Sequence, residues 1–505
     1  MAIQLCVKGW LFDMFRTVWA LFFLNARKTI YVARKRRGQC PCQNPSDSGL
    51  AMETGCDVIN HWARPDRLQR VCPLLQRNDQ GALVCSVAAE EVRPFWGRAF
   101  AYVGSFLGLS IALAAGLVYG GMRQIGYEVS LRQVIWPPAW GELRGVRAEL
   151  FIDQARRHYA DGEVREAIQS LTVAYNLNPE NYQVGMMLAR FFQAGNPAQA
   201  DKLYGAFLRE QPDRRSETAR VWFQSLLARG QMDQIAQLAQ RQLSVEPSQV
   251  SAWTHALLFS TQYFPDDTLL ESIRSTSTVP QPVRELVSLT IQTRRLSNEE
   301  AARLLLKTPM LKGFAYEKAH RVERLIQLGY PREALALLQI VRDEMASRDF
   351  ARLVFAAYAT MRDRDRLHRE VSSLLGVERK ITPTEIVLLA VHLVDYPDPI
   401  LLTMVGRALV RLPLDPAEAR LEAIIAVFCA AGVEGDEEQM AQARKLIADT
   451  FSTVPLGLTK LEAFFMGKSA STRIERLLPS LNPLPLELNY ALLRRYMPVP
   501  ERTKQ

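Results

Sequence analysis

Ala99–Gly121, AFAYVGSFLGLSIALAAGLVYGG, runs twenty-three residues without a charged side chain. At 1.5 Å per helical residue, such a stretch crosses a hydrocarbon core of about 30 Å. The spacing predicts a membrane-spanning helix over 99–121, which divides the chain into two parts that meet different solvents. The part before it is basic and cysteine-rich; the part after it is long, helical in pattern and nearly cysteine-free. A span starting near residue 99 lies too late for a signal peptide, and no clear cleavage site follows its small residues. It reads as a permanent anchor.

Of 505 residues, 48% are hydrophobic and 23% charged, the balance of a globular chain rather than a disordered one. The net charge of +9 is unevenly placed. Residues 1–98 hold fourteen Lys/Arg against eight Asp/Glu, and the remaining 407 hold forty-eight against forty-five. The basic character therefore belongs to the front end, and no nucleic-acid groove along the chain is implied.

That surplus peaks at 27–37, RKTIYVARKRR, where Arg27, Lys28, Arg34, Lys35, Arg36 and Arg37 make six of eleven residues. Before it, Trp10–Leu24 is apolar except for Asp13, Arg16 and Thr17, which share one helical face. Fifteen residues are short for a crossing, so an interfacial helix lying in the membrane plane is favoured. The six basic residues beside it would then meet anionic lipid, each contributing about 1 kcal/mol near the surface. Whether this helix lies flat or crosses, positive charge on the inner side leaves residues 27–98 cytoplasmic and 123–505 outside. In a bacterium, the expected setting is the inner membrane with 123–505 in the periplasm.

Five of the seven cysteines fall between 40 and 85: Cys40, Cys42, Cys56, Cys72 and Cys85. Trp62, Val71, Leu74, Leu75, Leu83 and Val84 are the apolar residues expected to pack there, too few for a core. Something must staple the segment. Arg70–Val87 reads as a β-hairpin around Asn78-Asp79, with Gly81 easing the turn, which would set Cys72 opposite Cys85. Four of the five cysteines, with His61 as a substitute, would suit tetrahedral zinc, and a reducing cytoplasm keeps thiolates available. The spacing lacks paired CxxC motifs. A disulfide or redox role, an iron–sulfur cluster and unligated thiols remain alternatives. Cys6 and Cys429 read as ordinary apolar positions.

Beyond a stiff connector, Trp136-Pro-Pro-Ala-Trp140, regular helix begins. In residues 148–180, Phe151, Ala155 and His158-Tyr159 fall on one helix, Gly162 at a turn, and Ala167, Leu171 and Ala174 on a second helix ended by Pro179. Pro179, Pro212 and Pro247 are 33 and 35 residues apart. The units between them carry Leu188, Ala200, Tyr204 and Phe207, then Phe223, Leu226, Gly230 and Ala239. This pattern resembles the tetratricopeptide repeat, whose period is about 34 residues; Gln154 stands where that family usually has Leu. A degenerate unit recurs at 317–345, with Leu325, Gly329-Tyr330-Pro331 and Ala334. From 265 to 490 the pattern gives amphipathic helices without fixed register, including Thr384–Val394, Ala417–Ala431 and Glu437–Thr450.

The expected fold is therefore mainly α: a single-pass anchor, then a TPR-like α-solenoid, with a small cysteine-rich N-terminal module. Its segments are an interfacial helix (1–26), a basic segment (27–38), the cysteine module (39–94), the span (99–121), a linker (122–147), TPR-like repeats (148–250), degenerate repeats (251–495) and a tail (496–505).

Standard catalytic and phosphate-binding motifs do not occur, and the six histidines are not at ligand spacing. His158 and His255 read as packing or surface residues. Asp266-Asp267 and Glu299-Glu300 read as helix starts, and Arg294-Arg295 and Arg362–Arg366 as solvated faces. Tyr182, Phe191, Tyr204 and Trp222 could line a groove, though helix–helix core is the simpler fate. The resemblance implies a non-enzymatic scaffold that binds other proteins, in envelope assembly, secretion or polysaccharide export. The parts also resemble lipopolysaccharide-assembly regulators that join an anchor, such repeats and a rubredoxin-like metal domain, in a different order. A metal or redox sensor built on the cysteines is the alternative, and an enzyme hidden in 265–490 the weaker one.

Overall fold

The structure is a computed structural model. It describes residues 18–19, 21–38, 40–45, 52–54, 72, 74–77, 79–81, 83–85, 90–376, 380–413, 415–451, 456–469, 471, 473–481 and 484–499. These residues are mainly helical and divide into two compact units: residues 1–163 with 176–178, and residues 164–175 with 179–505. Cys6, Cys56, His61, most of the interfacial helix and the end of the tail lie outside the described residues.

In the first unit, residues 21–33 form helix α1, so helical backbone continues through much of the basic segment. Two antiparallel hairpins follow: β1 (Gln43–Pro45) with β2 (Met52–Thr54), and β3 (Leu75–Arg77) with β4 (Leu83–Cys85). The second hairpin has a different register from the one expected. Leu75, not Cys72, lies opposite Cys85, because the chain reverses between Arg77 and Leu83. Gly81 there takes a positive φ of 77°, a conformation open to glycine, and this moves the turn past Asn78-Asp79.

Helix α2 (Trp96–Ile125) is 30 residues long and contains the whole uncharged stretch. Its central window has a mean hydropathy of 1.9 and none of it is buried, so it is long and apolar enough to cross a membrane. Phe95 heads this helix without a side-chain cap of its own; its N–H instead donates to Asn25 Oδ1 of α1 at 2.9 Å. Trp96 Nε1 donates to Thr29 Oγ1 at 3.0 Å beside it. After α2 come α3 (Leu131–Ile135), a 3-10 turn at Pro137–Glu142 and α4 (Leu143–Ala160).

The second unit is a succession of packed helices: α5 (Val164–Leu177), α6 (Tyr182–Gly195), α7 (Pro197–Glu210), α8 (Arg215–Ala228), α9 (Met232–Val245) and α10 (Val250–Ser260). It continues with α11 (Thr268–Ser275), α12 (Gln281–Arg295), α13 (Asn298–Lys307), α14 (Ala315–Gln327), α15 (Pro331–Ile340), α16 (Ser347–Met361) and α17 (Arg364–Leu374). The last are α18 (Pro383–Asp395), α19 (Pro399–Val410), α20 (Ala417–Glu434), α21 (Glu437–Phe451), α22 (Leu456–Phe465) and α23 (Leu486–Tyr496).

Most of the positions singled out by spacing are core positions, although Tyr159 is exposed and Phe151 and His158 are half-buried. Ala167, Leu171, Leu188, Ala200, Tyr204, Leu226, Ala239, Leu325 and Ala334 are all buried. Gly185 lets α6 and α7 approach closely, since a Cβ there would meet the Phe207 ring at 2.3 Å. Neighbours in sequence pack together, and from α14 each second helix also packs on the next but one: α14 on α16, α16 on α18, α18 on α20 and α20 on α22. Helix α23 departs from the expected continuation. It returns to pack on α8 and α18, with Tyr490 against Phe223, His255 and Phe259. The run of six buried residues from Leu488 to Leu493 explains why: this helix has apolar surface around its circumference and must be enclosed.

Candidate functional site

Helices α10, α14, α16, α18 and α23 enclose a half-open cavity of about 790 Å³. Its wall is largely apolar, with Ile326, Leu353, Leu388 and Val391 beside the rings of Tyr316 and Tyr490. That volume and lining are typical of a site that buries a ligand of drug size.

Charge in the wall is matched. Glu323 pairs with Arg352 at 3.2 Å and with Arg494 at 3.1 Å, and Arg494 reaches Asp395 at 3.5 Å. Arg348 pairs with Glu487 at 3.0 Å, and Arg495 donates to the Val394 carbonyl at 3.1 Å. Burial opposes ionisation of Glu323, but Arg352 and Arg494 overcome it and hold its carboxyl well below the usual range. Asp395 goes the other way: burial raises it more than Arg494 lowers it.

The neutral polar groups are less occupied. His255 stacks on Tyr490 with centroids 4.5 Å apart, and Tyr316 lies 5.7 Å from His255 and 5.9 Å from His320. His392 stacks on Tyr396 at 5.2 Å, and its Nε2 is buried without a hydrogen-bond partner. Burial pushes all three histidines down to about 4, so they are uncharged at neutral pH. The same burial lifts the Tyr316 and Tyr490 hydroxyls well above their usual range. The cavity thus offers apolar contact and neutral hydrogen-bonding groups, with most of its fixed charges paired and the exposed Asp349 at its wall in no ion pair among the described residues.

Sequence spacing did not find this site, because its residues come from helices separated by up to 240 positions. His255, read as packing, is also cavity wall. The aromatic residues proposed for a groove are elsewhere: Tyr204 is fully buried, and Trp222 donates to Asp201 at 2.8 Å. Asp201 is also gripped by Arg229 through two bonds of 2.6 and 3.1 Å. The remaining charged motifs have structural partners. Glu300 forms a capping box with Ser297, Asp266 accepts from the Thr268 N–H at 3.2 Å, and Arg294 pairs with Asp267 at 2.8 Å.

In the first unit, Cys40, Cys42 and Cys72 are reduced and buried in one cluster with Leu21, Leu24, Tyr31, Leu75, Val92, Phe95 and Ala99. Cys85 takes its place in β4 across from Leu75. Among the described residues, no three His, Cys, Asp or Glu side chains are gathered tightly enough to hold a metal ion. Of the six basic residues expected at the lipid surface, Arg27, Arg34, Lys35, Arg36 and Arg37 are exposed, whereas Lys28 is buried. Cys429 is fully buried within α20, and that burial drives its thiol far above the usual range, as suits an inert core position.

No protein-family model, curated protein or solved structure matches the chain.

Proposed function

We propose that this chain is a membrane-anchored scaffold whose TPR-like α-solenoid binds a segment of another protein. The observation that carries the reading is the 790 Å³ cavity walled by five helices of the array, mostly apolar and with most of its charges paired. Stacked helix pairs present surfaces of this kind to peptides. An uncharged segment bearing apolar side chains would meet the aliphatic wall, while His255, His320 and His392 offered hydrogen bonds to its amides. The placement proposed is the bacterial inner membrane, with α2 as anchor, residues 27–98 cytoplasmic and 123–505 periplasmic. The exposed Arg27 and Arg34–Arg37 support it, since basic residues favour the inner side and anionic lipid.

The test is site-specific photo-crosslinking of the full chain in its membrane, with the probe at Ala315 on the cavity wall. One protein should be captured there, and Ala319→Trp, which narrows the cavity, should abolish its capture. Equal capture by a probe at exposed Arg303, or capture indifferent to Ala319→Trp, would sink the reading.

The enzymatic alternative draws on Glu323 and Asp395, two carboxylates in one cavity. Both are held by Arg494, which suits a rigid wall better than proton transfer. The sensor alternative rests on three reduced thiols buried together; it requires that mild oxidant release a bound metal reversibly.

A further inference from the structure

The linker after α2 carries its large apolar side chains outward. Ile125, Leu131, Ile135, Trp136 and Trp140 fall within sixteen residues, and each is more than half exposed. Single exposed apolar residues need no explanation, but this concentration marks a surface that meets something other than water. The polar side chains of the segment bond to one another instead. Ser130 and Gln133 form a capping box at the start of α3, and Gln133 Nε2 donates to Glu142 Oε2 at 3.1 Å. Arg132 lies 4.0 Å from the same carboxylate, and Trp140 Nε1 donates to the Val134 carbonyl at 3.3 Å.

The place of this surface in the chain says what covers it. A 30-residue helix is about 45 Å long, so with Ala99–Gly121 in the hydrocarbon core its last turn stands in the headgroup layer. At Gly126 the backbone takes a positive φ of 102°, and the Tyr127 N–H returns to the Met122 carbonyl at 3.0 Å. Helix α3 follows within a few residues and packs back on α2, which keeps it at that depth. The 3-10 turn at Pro137–Glu142 packs on both α3 and α4, and its two prolines stiffen it. Beside it, Met122, Tyr127, Leu143 and Val146 line a half-open crevice of about 410 Å³, with exposed Arg144 and Arg147 at its wall. Apolar lining next to guanidinium groups matches a phospholipid, which joins acyl carbons to a phosphate.

We propose that α3 and the turn after it form a shelf seated on the bilayer surface where α2 emerges. Its exposed apolar side chains lie among the headgroups, and Arg144 and Arg147 pair with the phosphates of anionic phospholipid. The shelf rests on the reading of α2 as a membrane anchor. Tryptophan suits that layer, because its ring is apolar in bulk and polar at one edge. Since the turn packs on α4, seating the shelf fixes the direction in which α4 leaves the membrane.

The experiment uses the full chain in liposomes of phosphatidylcholine and phosphatidylglycerol, with a benzophenone side chain introduced at one position at a time. A probe at Leu109, within α2, tests the anchor, and a probe at Trp140 tests the shelf. Both should yield phospholipid adducts on irradiation, read by mass spectrometry. Leu131→Asp combined with Trp136→Asp should cut the Trp140 adducts about tenfold and leave the Leu109 adducts unchanged. Arg144→Gln combined with Arg147→Gln should abolish an excess of phosphatidylglycerol among the Trp140 adducts. An excess that survives that pair would overturn the assignment of the two arginines. All four substituted residues are exposed, and circular dichroism matching the wild type shows that the variants fold. If the chain with the Trp140 probe does not accumulate, a probe at Ile135 carries the same comparison. Lipid adducts at Leu109 with none at Trp140, or with a second copy captured there instead, would overturn the shelf and leave the anchor standing. A chain without lipid adducts at either position would overturn both.

Discussion

Arg321 in the helical array and Lys28 in the N-terminal unit are both buried to within 2% of full enclosure, yet their surroundings differ. Arg321 pairs with Glu317 one turn earlier and donates to the carbonyls of Leu305, Thr308 and Pro309 at 3.2, 2.6 and 2.8 Å. Lys28 has an aromatic ring and no acceptor among the described residues. Arg321 draws its partners from its own chain. The cysteine-bearing unit has ten buried residues in its cluster, three of them cysteines, and the Lys28 ammonium beside it has no hydrogen-bond acceptor among the described residues. The contrast is between two buried cations rather than two whole units, since Arg420 in the array is also buried with two guanidinium nitrogens unpartnered among the described residues.

The largest effect expected from this contrast is on the small cysteine-bearing cluster. Cys72→Ser combined with Cys85→Ser should abolish protection of the amides around Phe95 and Ala99 from hydrogen exchange, because Cys72 is buried in that cluster with both. The far-UV helical signal of α5–α23 should persist. If that signal collapses along with the cluster, the two units are not independent and the contrast fails.

The converse perturbation belongs to the array. Leu257 is fully buried in its main core, and Leu257→Ala should cost about 2–5 kcal/mol through lost contact and an unfilled cavity. Denaturant melts followed by circular dichroism would measure it. A cost below about 1 kcal/mol would mean that the helices relax around the gap far more readily than close packing allows.

Acid should separate the units further. His392 is 4% exposed, and burial depresses its pKa from 6.5 to about 4. Between those values the unfolded chain binds a proton that the folded chain refuses, so stability is fully present above pH 6.5 and lost as pH falls toward 4. The shift corresponds to about 3 kcal/mol for this residue. His255 and His320 act in the same direction, while the depressed Glu323 carboxyl holds until still lower pH. His392→Asn should flatten the array's stability between pH 6.5 and 4. An unchanged slope would place the titration elsewhere.

What the sequence disclosed follows from the range of the interactions involved. Helix periodicity is local, so Thr384–Val394, Ala417–Ala431 and Glu437–Thr450 correspond closely to α18, α20 and α21. The uncharged stretch was equally legible, because length and apolarity alone define it. The cavity was not. Glu323, Asp395 and Arg494 sit on three helices, and pairing over 171 residues leaves no periodic trace. The fold-back of α23 was hidden too, since an apolar helix at the end of a repeat array reads as one more repeat. Lys28 reads with its five basic neighbours as a residue facing anionic lipid because composition does not distinguish the one lysine on the buried face. The hairpin register differs because the pairing is centred on residue 80, next to Gly81, rather than on Asn78-Asp79, so Leu75 and not Cys72 faces Cys85.

Helix starts give the finest version of the contrast. In the array, caps are local: Ser297 and Glu300 cap α13 reciprocally, as Thr382 and Glu385 cap α18. In the first unit, the apolar helix α2 borrows its cap from Asn25, seventy residues earlier. Asn25→Ala strands the buried Phe95 N–H and should cost about 1–3 kcal/mol. It should also loosen α1, and with it the face that carries Lys28. Ser297→Ala removes one exposed local bond and should cost about 1 kcal/mol, confined to α13. Hydrogen exchange on both variants decides the matter. If Asn25→Ala perturbs only the first turn of α2, as Ser297→Ala should perturb only the first turn of α13, then Asn25 is an ordinary cap and α1 is held by its apolar face alone.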